Sequence, residues 1–182
     1  MTLANTPGDD RDPAIVLETE RLMLRRFCLA DAAFIVGLLN DPSFLRYIGD
    51  KGVRTLEDAR TYLANGPIGS YVRMGFGLYL TQRKSDGVPL GMCGLLKRDY
   101  LPDPDIGFAF LPDFCGKGYA RESATAVIAH ERAVFGLARL LAVTSIDNRD
   151  SIRLLERLDF RFEGLITPPE SAEPLRLMTR HL

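Results

Sequence analysis

The sequence predicts a single α/β domain with a mixed, mostly antiparallel sheet of about six or seven strands and helices on both faces. Three observations support this fold class. A strand, a glycine loop, a helix and a second strand follow one another between positions 106 and 144, and such a crossover makes its two strands parallel and right-handed. The earlier predicted strands are joined by short links, which favours antiparallel pairing. The 182 residues, 46 % of them hydrophobic and 26 % charged, suit one compact domain.

The composition excludes several classes of function. The formal net charge is −1, so no overall positive field recruits nucleic acid or an anionic membrane. The three cysteines and two histidines form neither a disulfide framework nor a zinc pattern, so we expect no metal site. No apolar run reaches the roughly 18 residues of a membrane span, and the first residues lack a signal-peptide core, so we expect a cytoplasmic protein. Residues 1–14 bury too little apolar surface to order and are predicted to be a flexible tail before a domain over residues 15–182.

The N-terminal part of the domain is predicted to contain one strand and two helices. The strand starts at residues 22–24. Asp31 then opens a helix that ends near residues 40–42. A capping box at residues 55–58 starts the second helix, and the Gly-Pro pair at positions 66–67 is expected to stop it.

The middle of the sequence predicts a hairpin. Its strands, over residues 77–82 and 90–96, are joined by the turn residues 85–87. Pro89 stands at the start of the second strand, where a missing backbone donor is tolerated. The same periodicities predict the remaining elements: a buried strand over residues 106–111, a helix from Ala120 to Phe135 that Gly136 ends, a strand over 139–144, a helix over 149–158, and closing strands over 160–165 and 175–179.

A glycine-rich loop leads into the long central helix. A helix N-terminus exposes unpaired backbone N–H groups at the positive end of the helix dipole. Gly116 and Gly118 remove Cβ atoms, so a phosphate can approach the backbone closely, and Ala120 keeps the first helical turn slim. This chemistry suits a diphosphate. A glycine turn without a ligand is the alternative interpretation, since short glycine motifs are weak evidence.

Two other phosphate motifs do not fit this loop. A P-loop would need glycine at position 111 and serine or threonine at position 118, where the sequence has Leu111 and Gly118. A dinucleotide fingerprint that starts at Gly116 would need glycine or alanine at position 121, where the sequence has Arg121. The loop is therefore predicted to bind phosphate in some other way.

The loop resembles the diphosphate loop of the GNAT superfamily of acetyltransferases, which is written Gln/Arg-x-x-Gly-x-Gly/Ala. Cys115 replaces the usual glutamine or arginine, while the glycine and alanine positions match. The residues that carry this likeness are Cys115, Gly116, Lys117, Gly118, Tyr119 and Ala120. Segments 17–25, 90–95, 105–108 and 148–160 resemble, in the correct order, the branch that includes the ribosomal-protein N-terminal acetyltransferases. The resemblance thus covers about residues 17–180.

The resemblance implies a cofactor and the residues that would hold it. Acetyl-CoA would be the co-substrate, with its diphosphate on residues 115–120. Its pantetheine arm would lie in a gap where the two parallel strands splay apart, pairing with the backbone near Phe110 and Leu111. Asn148 is predicted to cap the late helix, and the resemblance implies that it also touches the cofactor arm.

The resemblance also suggests catalytic residues. Asp105 is the candidate general base, acting directly or through water, and a solvated loop aspartate is the alternative. Ser151 is the candidate group near the thiol, with an ordinary polar residue in the first helical turn as the alternative. Cys115 is not expected to be a nucleophile, because no histidine lies nearby in sequence and family members transfer the acetyl group directly. The sequence departs from the family at Leu155, where many members have a tyrosine acid, and at Asp159, where a glycine usually ends the helix.

Three functions therefore stay open at the sequence level. The first is transfer of acetyl from acetyl-CoA to a protein N-terminus or small primary amine, by direct attack in a ternary complex. The others are an acyl-CoA-binding sensor without catalysis and a nucleotide-binding module unrelated to CoA. The acceptor pocket is expected from the early helices and the loops 65–74 and 98–105, where Tyr71, Phe76 and Tyr100 either line the pocket or simply pack. A homodimer through the closing strands is a further expectation.

Overall fold

The computed structural model describes residues 13–169, 171 and 173–182. The predicted tail lies outside the described residues except for its last two, and the carbonyl of Ala14 accepts a hydrogen bond from the Arg26 amide at 3.0 Å. The elements in chain order are β1 (Ile15–Glu18), β2 (Leu22–Arg25), α1 (Ala32–Leu39), α2 (Pro42–Tyr47), α3 (Leu56–Leu63), α4 (Gly69–Met74), β3 (Leu78–Arg83), β4 (Pro89–Leu96), β5 (Asp105–Phe110), α5 (Tyr119–Phe135), β6 (Arg139–Ser145), α6 (Arg149–Arg157), β7 (Arg161–Ile166) and β8 (Leu175–His181).

The strands of the described chain form one eight-stranded sheet in the order β1-β2-β3-β4-β5-β6-β8-β7. Neighbouring strands pair antiparallel except β5 and β6, which are parallel. The predicted mixed sheet is confirmed, with β1 as the strand that the sequence does not predict. A turn separates β1 from β2, in which the Thr19 amide donates to the Leu22 carbonyl at 2.8 Å and the Leu22 amide donates to Thr19 Oγ1 at 2.9 Å.

Local sequence signals place several elements correctly. In the capping box of α3, Thr55 Oγ1 accepts from the Asp58 amide at 3.1 Å and the Asp58 carboxylate accepts from the Thr55 amide at 2.9 Å. Pro89 is the first residue of β4, as predicted. Gly136 ends α5 with a φ of +63°, a conformation that glycine adopts without a Cβ clash.

Pro42 has a second role that the sequence does not predict. It lies just beyond α1, as expected, but it is also the first residue of α2. The first helical position needs no intrahelical N–H, so proline is tolerated there. Asp41 caps the helix, because its Oδ1 accepts from the Ser43 amide at 2.9 Å.

The predicted helix stop at positions 66–67 is wrong. A π-helical turn over Ala64–Ile68 contains Pro67 and continues into α4, so the predicted loop over residues 65–74 is helical. A tertiary contact holds this continuation in place. The hydroxyl of Tyr71 accepts from the Phe27 amide at 3.1 Å and donates to the Leu78 carbonyl. Tyr71 is therefore a core residue.

Helices cover both faces of the sheet and enclose two hydrophobic clusters. Residues of α5 and α6 pack with one cluster, and residues of α1, α2 and α3 pack with the other. Alternation along β3 divides its side chains between them, since Tyr79 faces the first cluster while Leu78 and Leu80 face the second. The central sheet is therefore buried on both faces.

The parallel pair at the centre of the sheet is paired at one end only. β5 and β6 meet at Asp105 and Leu141, where the Leu141 amide donates to the Pro104 carbonyl at 3.0 Å. By contrast, β5 pairs with β4 along its whole length, and β6 does the same with β8. Because the contact lies at the start of β5, the carboxyl ends of β5 and β6 diverge. This splay agrees with the expectation from the resemblance.

In the described part of the chain, no helix is long and apolar enough to cross a membrane. The cytoplasmic location stays a prediction.

Candidate active site

A cavity of about 350 Å³ lies where β5 and β6 diverge. Three residues of β5 form one wall, and residues 142–145 of β6 form the facing wall. α6 and the N-terminal helices α2 and α3 supply further walls. The cavity therefore combines segments that are far apart in sequence, and it exists only because the two strands separate.

Helix α2 is attached to the side of the cleft that β6 forms. Ser145 Oγ, at the end of β6, donates to the Tyr47 carbonyl at 3.0 Å. Arg46 and Asp147 form an ion pair at 3.0 Å, although both side chains are largely exposed and the pair adds little stability. These contacts join α2 to the end of β6, where β5 and β6 are not paired, and they keep α2 in the cavity wall.

The glycine loop presents the N-terminus of α5 to solvent. Gly118 is the N-cap with a φ of +83°, and Gly116 has a φ of +73°, so both adopt the left-handed region that favours glycine. Residues 115–118 are exposed. Within the described residues, no side chain caps this 17-residue helix. The loop comes after the end of β5 that has left β6, so chain connectivity places the helix N-terminus at that end of the sheet.

Arg21 braces this loop, a contact that no sequence motif predicts. Its Nη1 donates to the Lys117 carbonyl at 3.1 Å, and it forms an ion pair with Glu122 at 2.7 Å. Its guanidinium also lies 4.6 Å from the centre of the Tyr119 ring. Lys117 itself lies near the ring of Phe114, at 5.9 Å from its centre. Two cations therefore stand beside the outward-facing helix N-terminus.

The backbone N–H and C=O groups of successive β5 residues point alternately toward β4 and toward the cleft. The Leu111 amide donates to the Leu90 carbonyl at 2.9 Å, and its carbonyl accepts from Phe114 at 3.0 Å. In an antiparallel ladder the next residue points the other way, so the polar groups of Phe110, and of Phe108 two positions earlier, face the cleft. Phe110 fits the predicted contact with the cofactor arm. Leu111 does not, because both of its backbone groups are engaged elsewhere.

Asn148 and Ser151 lie together in the cavity wall. The predicted cap is confirmed, since Asn148 Oδ1 accepts from the Ser151 amide at 3.1 Å. Both residues line the cavity, as does the side chain of Leu155, which is 1 % exposed. The position of the family's tyrosine acid thus presents an aliphatic group to the cavity. Ser151 is the residue of this helix that brings a hydroxyl group to the cavity wall.

Asp105 is buried rather than solvated. It is 1 % exposed, and its two carboxylate oxygens accept from Arg98 Nε at 3.1 and 3.0 Å. Burial raises the pKa of the Asp105 carboxyl above its ordinary value, while the adjacent Arg98 opposes the shift. The alternative interpretation of Asp105 as a solvated loop aspartate is therefore wrong. Arg98, not Asp105, reaches the cavity wall.

The other candidate residues do not gather at the cavity. Partial burial, together with the carboxylates of Asp41 and Asp150, raises the pKa of the Cys115 thiol, which is the opposite of what an activated nucleophile requires. Phe76 is a buried core residue and Tyr100 lies beside Arg98, with its ring centre 6.0 Å from the guanidinium. The aromatic residues that do line the cavity are Phe44, Tyr47, Tyr62 and Phe108.

Comparisons with known proteins identify the family. The family model described as an acetyltransferase (GNAT) domain matches residues 21–161. The uncharacterized N-acetyltransferase YoaA of Bacillus subtilis is 26 % identical over 83 % of this chain and 85 % of its own length. The uncharacterized N-acetyltransferase p20 of Bacillus licheniformis is 28 % identical over 86 % of this chain and 88 % of its own length.

Solved structures show the same fold. A GNAT-family acetyltransferase from Bacillus anthracis superimposes with a TM-score of 0.74 at 25 % identity, covering 90 % of this chain and 96 % of that protein. RimL, a ribosomal L7/L12 alpha-N-protein acetyltransferase in complex with coenzyme A, superimposes with a TM-score of 0.80 at 19 % identity, covering 93 % and 98 %. Within the described residues, no group of three or more His, Cys, Asp or Glu is placed to hold a metal ion.

Proposed function

Because this chain belongs to the GNAT family of acetyltransferases, which transfer acetyl from acetyl-CoA, we propose that it acetylates a primary amine by direct attack within a ternary complex. One observation carries the proposal. The uncapped N-terminus of α5 follows the end of β5 that has separated from β6, so that a diphosphate site and a slot for an acyl carrier lie at the same end of the sheet.

The diphosphate is assigned to the glycine loop. The first backbone N–H groups of α5 supply donors and the positive end of the helix dipole. The left-handed conformations of Gly116 and Gly118 set the course of the loop, and no Cβ atom stands between the phosphates and the backbone. Lys117 adds positive charge at the same place, while Arg21, whose charge is paired with Glu122, holds the Lys117 carbonyl. These features support residues 115–120 as the cofactor-binding segment.

The acyl end of the carrier is assigned to the free edge of β5. The backbone groups of Phe108 and Phe110 face the cleft, so they can pair with an amide-bearing arm. A backbone N–H of this edge is also the simplest donor to the oxyanion that forms when an amine attacks the thioester carbonyl. Ser151, which lines the cavity beside Asn148, is assigned to the departing thiolate, as a donor or through water.

We assign Asp105 to holding Arg98 rather than to direct proton abstraction. Its oxygens are bound to Arg98 and it does not line the cavity. Among the lining residues of the described chain there is no carboxylate or histidine. The proton of the acceptor amine therefore leaves through water, and the fraction of neutral amine limits the rate. For an α-amine, whose pKa is about 7.7–8.0, transfer should rise with pH up to that range.

One observation favours a second candidate, an acyl-CoA-binding sensor without catalysis. Leu155 presents an aliphatic side chain where a proton donor would otherwise stand. A site without a dedicated acid or base can still bind the carrier.

Turnover and binding assays separate these functions. The protein is mixed with acetyl-CoA and a panel of primary amines, and release of free thiol is followed above the rate of hydrolysis. We expect amine-dependent release that rises with pH as the neutral amine accumulates. Tight binding of CoA without any amine-dependent release would support the sensor. Calorimetry with CoA, ATP and NAD is run in parallel, and preference for ATP or NAD would overturn the CoA assignment.

The expected homodimer is retained as a proposal. β7 is the edge strand of the sheet, and it exposes 53 % of Phe162 and 57 % of Leu165. An edge strand with exposed apolar side chains is a common site of association. Light scattering should report a dimer that Phe162→Lys converts to a monomer. A monomeric parent protein would remove this proposal without affecting the others.

A further inference from the structure

The charge of the cavity wall points to the acceptor. The charged side chains that line the cavity are Lys51 and Arg98, and both are cations. Among the described residues, no aspartate or glutamate lines it. Most other lining residues are apolar or aromatic, including Phe44, Tyr47 and Tyr62. The lining thus offers a polycationic acceptor two cations and no carboxylate to bind, since the Asp105 carboxylate lies behind Arg98 and does not line the cavity.

Arg98 is held in a way that suits anion recognition. Its Nε donates to both oxygens of Asp105, which is 1 % exposed, while the Arg98 side chain is 36 % exposed. A guanidinium has five N–H donors in a planar fork, and Asp105 engages only Nε. The buried carboxylate therefore fixes the guanidinium at the wall, and donors remain for a second planar anion.

The position and size of the cavity limit what this anion can be. The wall that contains Arg98, Tyr47 and Tyr62 comes from the N-terminal helices and the segment after β4, whereas the glycine loop lies beyond the far end of β5. The cations in the wall are thus separate from the diphosphate site. A volume of about 350 Å³ lies at the small end of ligand pockets.

We propose that the acceptor is a small amine that carries a carboxylate next to its amino group and an apolar or aromatic side chain, as a free amino acid does. Arg98 binds the carboxylate, the aromatic wall contacts the side chain, and the amine faces the splayed strands. This inference rests on the proposed function and names the acceptor class of the same site.

The experiment compares acceptors that differ only in the carboxylate. Phenylalanine, phenylalaninamide and phenethylamine are tested as acceptors, with leucine and leucinamide as a second pair and spermidine as a polycation. Each kcat/KM is corrected for the neutral fraction of the amine, because the amides have a lower amine pKa. We expect each carboxylate to exceed its amide by about tenfold or more, which is the effect of one charged recognition contact of about 1.4 kcal/mol.

A variant then assigns the preference to Arg98. The double substitution Arg98→Gln/Asp105→Asn neutralises the pair without leaving a buried charge, and it should bring the carboxylate-to-amide ratio close to one. Arg153→Gln removes an exposed arginine of α6 that does not line the cavity, and it should leave the ratio as it is. Circular dichroism and calorimetry with acetyl-CoA verify that both variants fold and bind the carrier.

Two failures can be told apart. If the parent protein does not bind acetyl-CoA, the proposed function is wrong. If it binds acetyl-CoA but amides, plain amines or spermidine react as well as the carboxylates, or no carboxylate accepts acetyl, the inference about the acceptor is overturned. A carboxylate preference that survives in the double variant would also overturn the role of Arg98.

Discussion

The two ends of the central cleft are built in different ways. The proposed cofactor end is one contiguous segment, residues 115–120, in which backbone amides at a helix N-terminus would be the main donors. The proposed acceptor end is assembled from residues of α2, α3 and β6 together with Lys51 and Arg98. A site made of backbone groups can be identified from a short motif, whereas a site made of distant side chains emerges only when the chain folds.

The two ends should also respond differently to substitution. At the cofactor end the conformation of the chain matters more than side-chain identity, which explains why Cys115 can stand where the family usually has glutamine or arginine. At the acceptor end each side chain contributes its own charge or shape. The predictions that follow test this difference, starting with the largest effect.

Gly118→Glu should reduce affinity for acetyl-CoA by at least about 100-fold, because it sets a carboxylate against the diphosphate and strains a φ of +83°. Gly136→Glu is the matched control at the other end of α5, where φ is +63°. Each substitution should lower stability by about 1–2 kcal/mol through backbone strain. Calorimetry should show that only the first abolishes binding. Equal binding by a folded Gly118→Glu protein would show that the diphosphate lies elsewhere.

At the acceptor end, Arg98→Gln should destabilise the protein by about 2 kcal/mol. The substitution leaves the buried carboxylate of Asp105 without its cation; the effect is smaller than the roughly 3–5 kcal/mol of a fully buried pair because Arg98 is one-third exposed. The double variant Arg98→Gln/Asp105→Asn should recover most of the loss. Urea unfolding measures both. If the single and the double variant are equally stable, Arg98 and Asp105 do not stabilise the protein as a pair.

Glu131 lies about one turn before the C-terminal end of α5, outside the lining of the cavity, and should control a pH dependence of stability. It is fully buried, Tyr79 donates to its Oε1 at 2.8 Å, and burial raises the pKa of its carboxyl while that hydrogen bond opposes the shift. A carboxyl whose pKa is higher in the folded state holds its proton longer there. Stability should therefore fall as pH rises from about 4.3, its unfolded pKa, to the raised folded value, by about 1.4 kcal/mol per pH unit.

Glu131→Gln should remove this decline. Above the raised folded-state pKa of Glu131, the variant should be more stable than the parent protein. Urea unfolding from pH 5 to pH 8 measures both proteins, and the difference between the curves isolates Glu131 because Asp105, whose pKa is also raised, is common to both. Parallel curves would mean that Glu131 stays in one protonation state over this range.

The smallest effect is expected for Arg21, which contacts the glycine loop. Arg21→Gln should weaken acetyl-CoA binding about fivefold, and less at high salt, because it removes a partly screened positive charge and a contact to the Lys117 carbonyl. Arg132→Gln, in the last turn of α5, is the control and should leave binding unchanged. A salt-independent loss would mean that Arg21 acts only by shaping the loop.

Local signals in the sequence were reliable wherever the physics is local. The capping box at Thr55 and Asp58, the cap at Asn148 and the glycines at positions 118 and 136 all depend on groups a few residues apart. They located the helices and the phosphate loop. The same reasoning failed at Pro67, where a buried hydroxyl from Tyr71 stabilises a helix across the expected break.

The sequence by itself therefore determined the fold class, most of the elements and the family resemblance, and it predicted the cofactor loop, since backbone geometry and helix dipoles are encoded over short stretches of chain. Tertiary structure alone decided that Asp105 is buried against Arg98, that Leu111 faces away from the cleft, and that Arg21 braces the loop. It also decided which side chains surround the acceptor. These properties depend on burial and on contacts between residues far apart in the chain, and no short segment carries that information.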